Sequence, residues 1–134
     1  MTTNDPVRQY LKEKGCPPGV VAGGLDGLLE QWEQIVEAVS AGYALGLDDY
    51  LNDMDARQLL EESLAVAAPA ARRNVADRVR EADAALKSVT RFAGKCLWGD
   101  EVAAEEGWTA QKNWWYFSSP MNAEPDLLAE IDEV

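Results

Sequence analysis

Two stretches of this chain return an apolar side chain every third or fourth residue. Val21, Leu25, Leu28, Trp32, Ile35 and Val39 form one series, and Val75, Val79, Ala82, Leu86, Val89 and Ala93 form the other. An α-helix turns about 100° per residue, so such steps bring each series back to a single stripe that faces a core. The opposite faces differ in sign. Asp26, Glu30, Glu33 and Glu37 follow the first stripe, whereas Arg73, Arg80, Lys87 and Arg91 follow the second. The fold expected is all-α, an up-down arrangement like a four-helix bundle.

Punctuation places the remaining elements. Asn4 or Asp5 before Pro6 predicts a capped helix start, with Val7, Tyr10 and Leu11 as its apolar face and Gly15 as its stop. Cys16-Pro17-Pro18-Gly19 is a rigid connector, and Val20 to Ser40 predicts a long helix whose first turns are weakened by Gly23, Gly24 and Gly27. A third helix is expected from Leu47-Asp48-Asp49, its acids at the positive helix end. The apolar phase slips near Asp53 to Asp55, which predicts a kink or a second start capped by one of those acids. Pro69 opens a fourth helix running from about Ala70 to Ala93, closed by Gly94. Residues 1–96 would then be the helical part of one domain, and residues 97–134 an irregular arm rich in Trp that ends in a short helix.

Charge and residue types narrow the function classes. The net charge of −12 opposes long-range attraction to nucleic acid or an anionic membrane. No histidine is present, which removes imidazole triads and the usual zinc ligands. The early residues lack an apolar signal core, and no run approaches the ~18 apolar residues of a membrane span. A cytoplasmic setting is expected, with Cys16 and Cys96 reduced and buried, although a bridge between them is an open alternative. Lys95 beside Cys96 would lower that thiol's pKa. Phosphate loops, nucleophile elbows, HExxH and dinucleotide fingerprints are all missing.

Two candidate sites remain. The first is a partner-binding surface. Residues 72–95 hold seven of the twelve Lys and Arg against three acids, so this segment is near +4 and the rest near −16. Its Arg73, Arg80, Lys87 and Arg91 could meet the acidic C-terminal residues Glu130, Asp132 and Glu133, or the acidic column of a second copy. Seven of the eleven aromatics fall between Phe92 and Phe117. In a strand, Trp114 and Tyr116 would point one way and Trp115 and Phe117 the other, leaving one pair exposed. Trp108, Trp114, Trp115, Tyr116 and Phe117 are therefore candidate contacts, with a lid over the helices as the structural reading of the same residues.

The second candidate is a Mg²⁺ site built from Glu30, Glu33, Asp49 and Asp53. The Glu30-x-x-Glu33 pair resembles the first half of the motif in all-helical nucleotide pyrophosphohydrolases of the MazG type, which implies a Mg²⁺-dependent phosphohydrolase. That motif needs an ExxD-like partner on a following helix, and here Asp49 is followed three residues later by Asn52. The acidic column also lies roughly 140° around the helix from the apolar stripe, pointing away from any core. An EF-hand is excluded by Met54 or Gln58 at the glycine position. The favoured function is a small acidic interaction or regulatory protein that forms a homo-oligomer and uses no metal. Its composition is like that of immunity or antitoxin proteins that neutralise a basic partner.

Overall fold

The computed structural model describes residues 5–134. Six α-helices dominate: α1 (Pro6–Glu13), α2 (Pro18–Gly42), α3 (Leu47–Val66), α4 (Pro69–Ser88), α5 (Asp100–Glu106) and α6 (Pro125–Glu133). Between and after them lie two short strands, β1 (Thr90–Phe92) and β2 (Ser118–Pro120), and a 3₁₀ turn over Trp114–Phe117. The protein is all-α apart from that antiparallel ribbon, in which Arg91 faces Ser119. Among the described residues, no helix is long and apolar enough to cross a membrane.

α2 is the central element and packs against α1, α3 and α4. Its stripe is buried from Leu25 through Leu28, Trp32, Ile35 and Val39, joined by Leu29 and Val36. α1 starts where its proline requires: the Asp5 carboxylate accepts the Val7 and Arg8 amides at 2.9 and 3.3 Å. Asn4 lies outside the described residues. The weakened start of α2 is a true break, because Gly24 has φ +58° and ψ −152°, a region essentially closed to other residues. Arg8 donates two hydrogen bonds to the carbonyl of Ala22, just before the break, at 3.0 and 3.2 Å. A Cβ at Gly24 would meet that guanidinium at 3.3 Å. Val21 sits before the break and is only partly buried.

Two boundary expectations are corrected. α3 runs unbroken from Leu47 to Val66, with neither a kink nor a cap at Asp53 or Asp55. Its apolar phase slips because Arg57 and Ser63 occupy buried positions there, while Leu59 and Leu64 are only partly covered. α4 ends at Ser88, not near Ala93. β-Branched Val89 and Thr90 leave the helix: the Val89 amide and the Thr90 hydroxyl both donate back to the Leu86 carbonyl, and the chain turns into β1. Val89, Arg91 and Ala93 therefore leave the α4 series, which keeps Val75, Val79, Ala82 and Leu86 as its buried stripe.

A buried charge joins the layers. Arg57 is 4% exposed. Its Nε and Nη2 hold both oxygens of Asp83 on α4 at 3.0 and 2.9 Å, and its Nη1 reaches Glu61 at 3.0 Å. Asp83 also accepts the indole N–H of Trp32 on α2 at 2.9 Å. The guanidinium lies over the Trp115 ring, 4.4 Å from its centroid. Burial works against the charge, but the two carboxylates outweigh it and hold the Arg57 pKa above its ordinary value.

Candidate interaction surface

The end of α4 decides what reaches the surface. Once the chain leaves the helix at Val89, β1 presents Arg91 and Phe92 outward, and Phe92 is 69% exposed. Ala93 and Leu97 donate their amides to the Phe117 and Tyr116 carbonyls at 2.7 and 2.8 Å, which draws the aromatic run against β1. That run is not a strand, so the expected alternation fails. In a 3₁₀ helix residues i and i+3 eclipse. Trp114 and Phe117 accordingly share the outer side, partly exposed, while Trp115 and Tyr116 turn inward and are each 1% exposed.

This placement sorts the candidate partner-binding residues. Trp115 and Tyr116 belong to the interior and are withdrawn from a contact surface. The Tyr116 hydroxyl donates to Asp55 at 2.6 Å, and its ring stacks on half-buried Trp108 at 4.0 Å. Burial first, then the Asp55 hydrogen bond, raises the Tyr116 pKa far above its ordinary value. Trp114 and Phe117 join Lys87, Thr90, Arg91, Phe92, Ala110 and Ser118 around a shallow groove of about 180 Å³. The Lys87 ammonium sits 4.6 Å from the centre of the Trp114 ring. Arg73 and Arg80 are exposed further back on α4 and do not border this groove; Arg80 pairs with Asp77. Two cations of the basic set thus meet two aromatics of the second set, and Phe92 completes the group. The sequence reading missed Phe92, although the β-branched pair before it marks the helix end that exposes it.

The C-terminal acids do not neutralise the basic column. Lys95 reaches the backbone carbonyls of Asp132 and Val134 at 3.3 and 3.0 Å, while Glu130 accepts the Leu47 amide. Cys16 and Cys96 are free thiols, the first partly covered and the second buried. Burial raises the Cys96 pKa, with the ammonium of Lys95 turned toward the end of α6, so the activation expected from that lysine is not found.

Of the four carboxylates considered for Mg²⁺, Glu33 and Asp53 are engaged by other side chains and Glu30 and Asp49 stand in solvent. Glu33 takes a two-pronged contact from Arg78 at 2.6 and 3.1 Å, which lowers its pKa. Asp53 accepts the Tyr43 hydroxyl at 2.6 Å, and Glu30 and Asp49 are exposed. Burial raises the Asp53 pKa even against that hydrogen bond. Among the described residues, no group of three or more His, Cys, Asp or Glu side chains is placed to hold a metal ion. Glu30 and Glu33 sit on the outward face of α2, where Arg78 of α4 is the neighbour, and the resemblance to the MazG-type motif goes no further than that pair.

The chain matches no family model, no curated protein and no solved structure.

Proposed function

We propose that this chain is a small acidic interaction or regulatory protein of the cytoplasm, and that its contact surface is the corner formed by the end of α4, β1 and the 3₁₀ turn. One observation carries the reading: Phe92 stands in solvent beside Lys87, Arg91 and Trp114 on a molecule otherwise dominated by acids. Exposed bulky apolar residues rimmed by charge are the usual anchors of partner contacts. The test is a photo-crosslinking side chain at position 92, with the same group at exposed Glu13 on α1 as control, in the native host. Adducts with a distinct protein at 92 and none at 13 are expected; silence at 92 would remove the reading.

Self-association is proposed for a second surface. Asp26, Glu30 and Glu37 are exposed on α2, where Arg78 of α4 is the neighbour, while Arg73 and Arg80 are exposed elsewhere on α4, Arg80 on the side that borders Glu61 of α3. A copy related by a two-fold axis can set each acidic row on a basic one. Sedimentation at low salt should give a dimer that dissociates as salt screens the rows. A monomer at low salt would exclude it.

A further inference from the structure

We infer that the groove between Lys87, Arg91, Phe92, Trp114 and Phe117 takes an acidic peptide segment of a partner protein, anchored by one bulky apolar side chain. This rests on the interaction reading and names the partner's chemistry. Volume speaks first. At about 180 Å³ the groove is smaller than the ~300–1,000 Å³ of cofactor and small-molecule pockets, and suits a single side chain. Its walls are the rings of Phe92, Trp114 and Phe117, which an apolar anchor would cover.

Charge then selects the flanking residues. No carboxylate lines the groove, although acids outnumber bases 24 to 12 in the chain. Lys87 and Arg91 flank the aromatic wall, while an acidic partner is repelled by most of the remaining surface. Repulsion by the acid-rich surface and attraction here favour this face, and the rings beside Lys87 and Arg91 distinguish it from the exposed Arg73 and Arg80. The position of Lys87 argues against a stacked nucleobase. Its ammonium already lies over the Trp114 ring, and a base would have to displace that cation to stack on the same face. An acidic peptide gains from the cation where it stands.

The test uses the full chain and four probes: an Asp/Glu-rich peptide with one Leu, the same peptide with Ser for Leu, its Lys-rich counterpart, and oligothymidylate. Binding is read by tryptophan fluorescence and by amide shifts mapped onto residues 87–92 and 114–118. The acidic Leu peptide should bind saturably and more weakly at high salt. Phe92→Ser and the double variant Lys87→Glu/Arg91→Glu should each weaken it at least tenfold, with melting temperatures unchanged because these side chains are exposed. If a variant does melt lower, Arg91→Glu alone gives the same reading. Equal binding of the Ser or Lys-rich peptide, preference for the oligonucleotide, or no response to the variants overturns the inference. So does a peptide-free dimer that Phe92→Ser dissociates, since the groove would then belong to a second copy. Crosslinks at position 92 without peptide binding would spare the interaction reading and sink only this peptide class.

Discussion

The two halves of this molecule are held by different forces. α1, α2 and α4 meet through apolar stripes: Val7, Leu11, Leu28, Leu29, Trp32, Val75, Val79 and Leu86 are buried against one another with few polar atoms among them. Residues 89–134 bring buried aromatics and Leu97, Leu127 and Ile131 to the same core, but their positions are fixed by directional polar bonds to α3. Tyr116 and Trp98 donate to Asp55, Asn113 to Gln58, and the Tyr50 hydroxyl to the Ser118 carbonyl. α3 is therefore the platform: it packs apolar side chains such as Leu51, Met54 and Leu60 into the core, and it carries the polar partners Asp55, Gln58 and Tyr50 for residues 89–134 and Arg57 and Glu62 for α4 and α1. Apolar contact is non-directional, whereas a hydrogen bond of 2.6–3.1 Å fixes both the distance and the angle of its partners. The difference explains how a short irregular segment can set Phe92, Trp114 and Phe117 in a defined group.

The strongest way to break this comparison is to remove the residue that joins the halves. Arg57→Met should cost about 3 kcal/mol, because Asp83 is then left partly buried without its cation. Adding Asp83→Asn should recover most of it, since the amide oxygen still accepts the Trp32 indole N–H. Urea denaturation measures both, and a loss under about 1 kcal/mol for Arg57→Met would show that the ion pair is not the junction.

An intermediate effect is expected at the segment held on Asp55. Asp55→Ala orphans the Tyr116 hydroxyl and should cost about 1–2 kcal/mol. Amide exchange should quicken across residues 96–117 and stay unchanged in the centre of α2. Uniform acceleration throughout the molecule would mean that the two halves open as one unit.

The smallest effect sharpens the comparison by pH. Burial pushes the Glu62 carboxyl upward, but hydrogen bonds from Tyr10, Gln58 and Lys14 overcome it and hold the group below its ordinary 4.5. A carboxyl with a depressed folded value lends stability above about pH 4.5 and loses it as the pH falls through that folded value. Glu62→Gln should therefore melt slightly below the parent at pH 7, by under about 1 kcal/mol for this part-exposed pair, and match it near the acid end. Identical acid limbs for the two proteins would show that Glu62 carries none of the acid sensitivity.

The repeat of three and four residues, the prolines at 6 and 69 and the glycine at 15 were enough to place α1, the body of α2 and the start of α4, because those signals act within one or two helical turns, whereas α2 opens at Pro18 inside the stretch read as a connector and α3 lacks the expected break. They also supplied the stripes of charge on the outer faces. Three decisions came only from tertiary structure. No spacing in the chain marks Arg57 as an interior residue, yet Asp83, twenty-six residues away, compensates its charge there. Asp53 and Asp55 read as caps, yet Tyr43, Trp98 and Tyr116 converge on them within an unbroken helix. Four consecutive aromatics do not say whether they alternate or eclipse; pairing of β1 with β2 and the amides of Ala93 and Leu97 force the tight turn that exposes Trp114 and Phe117 and hides the other two. Periodicity is local and legible, whereas a polar partner is chosen by whatever the fold brings within three ångströms, and no spacing in the chain encodes that.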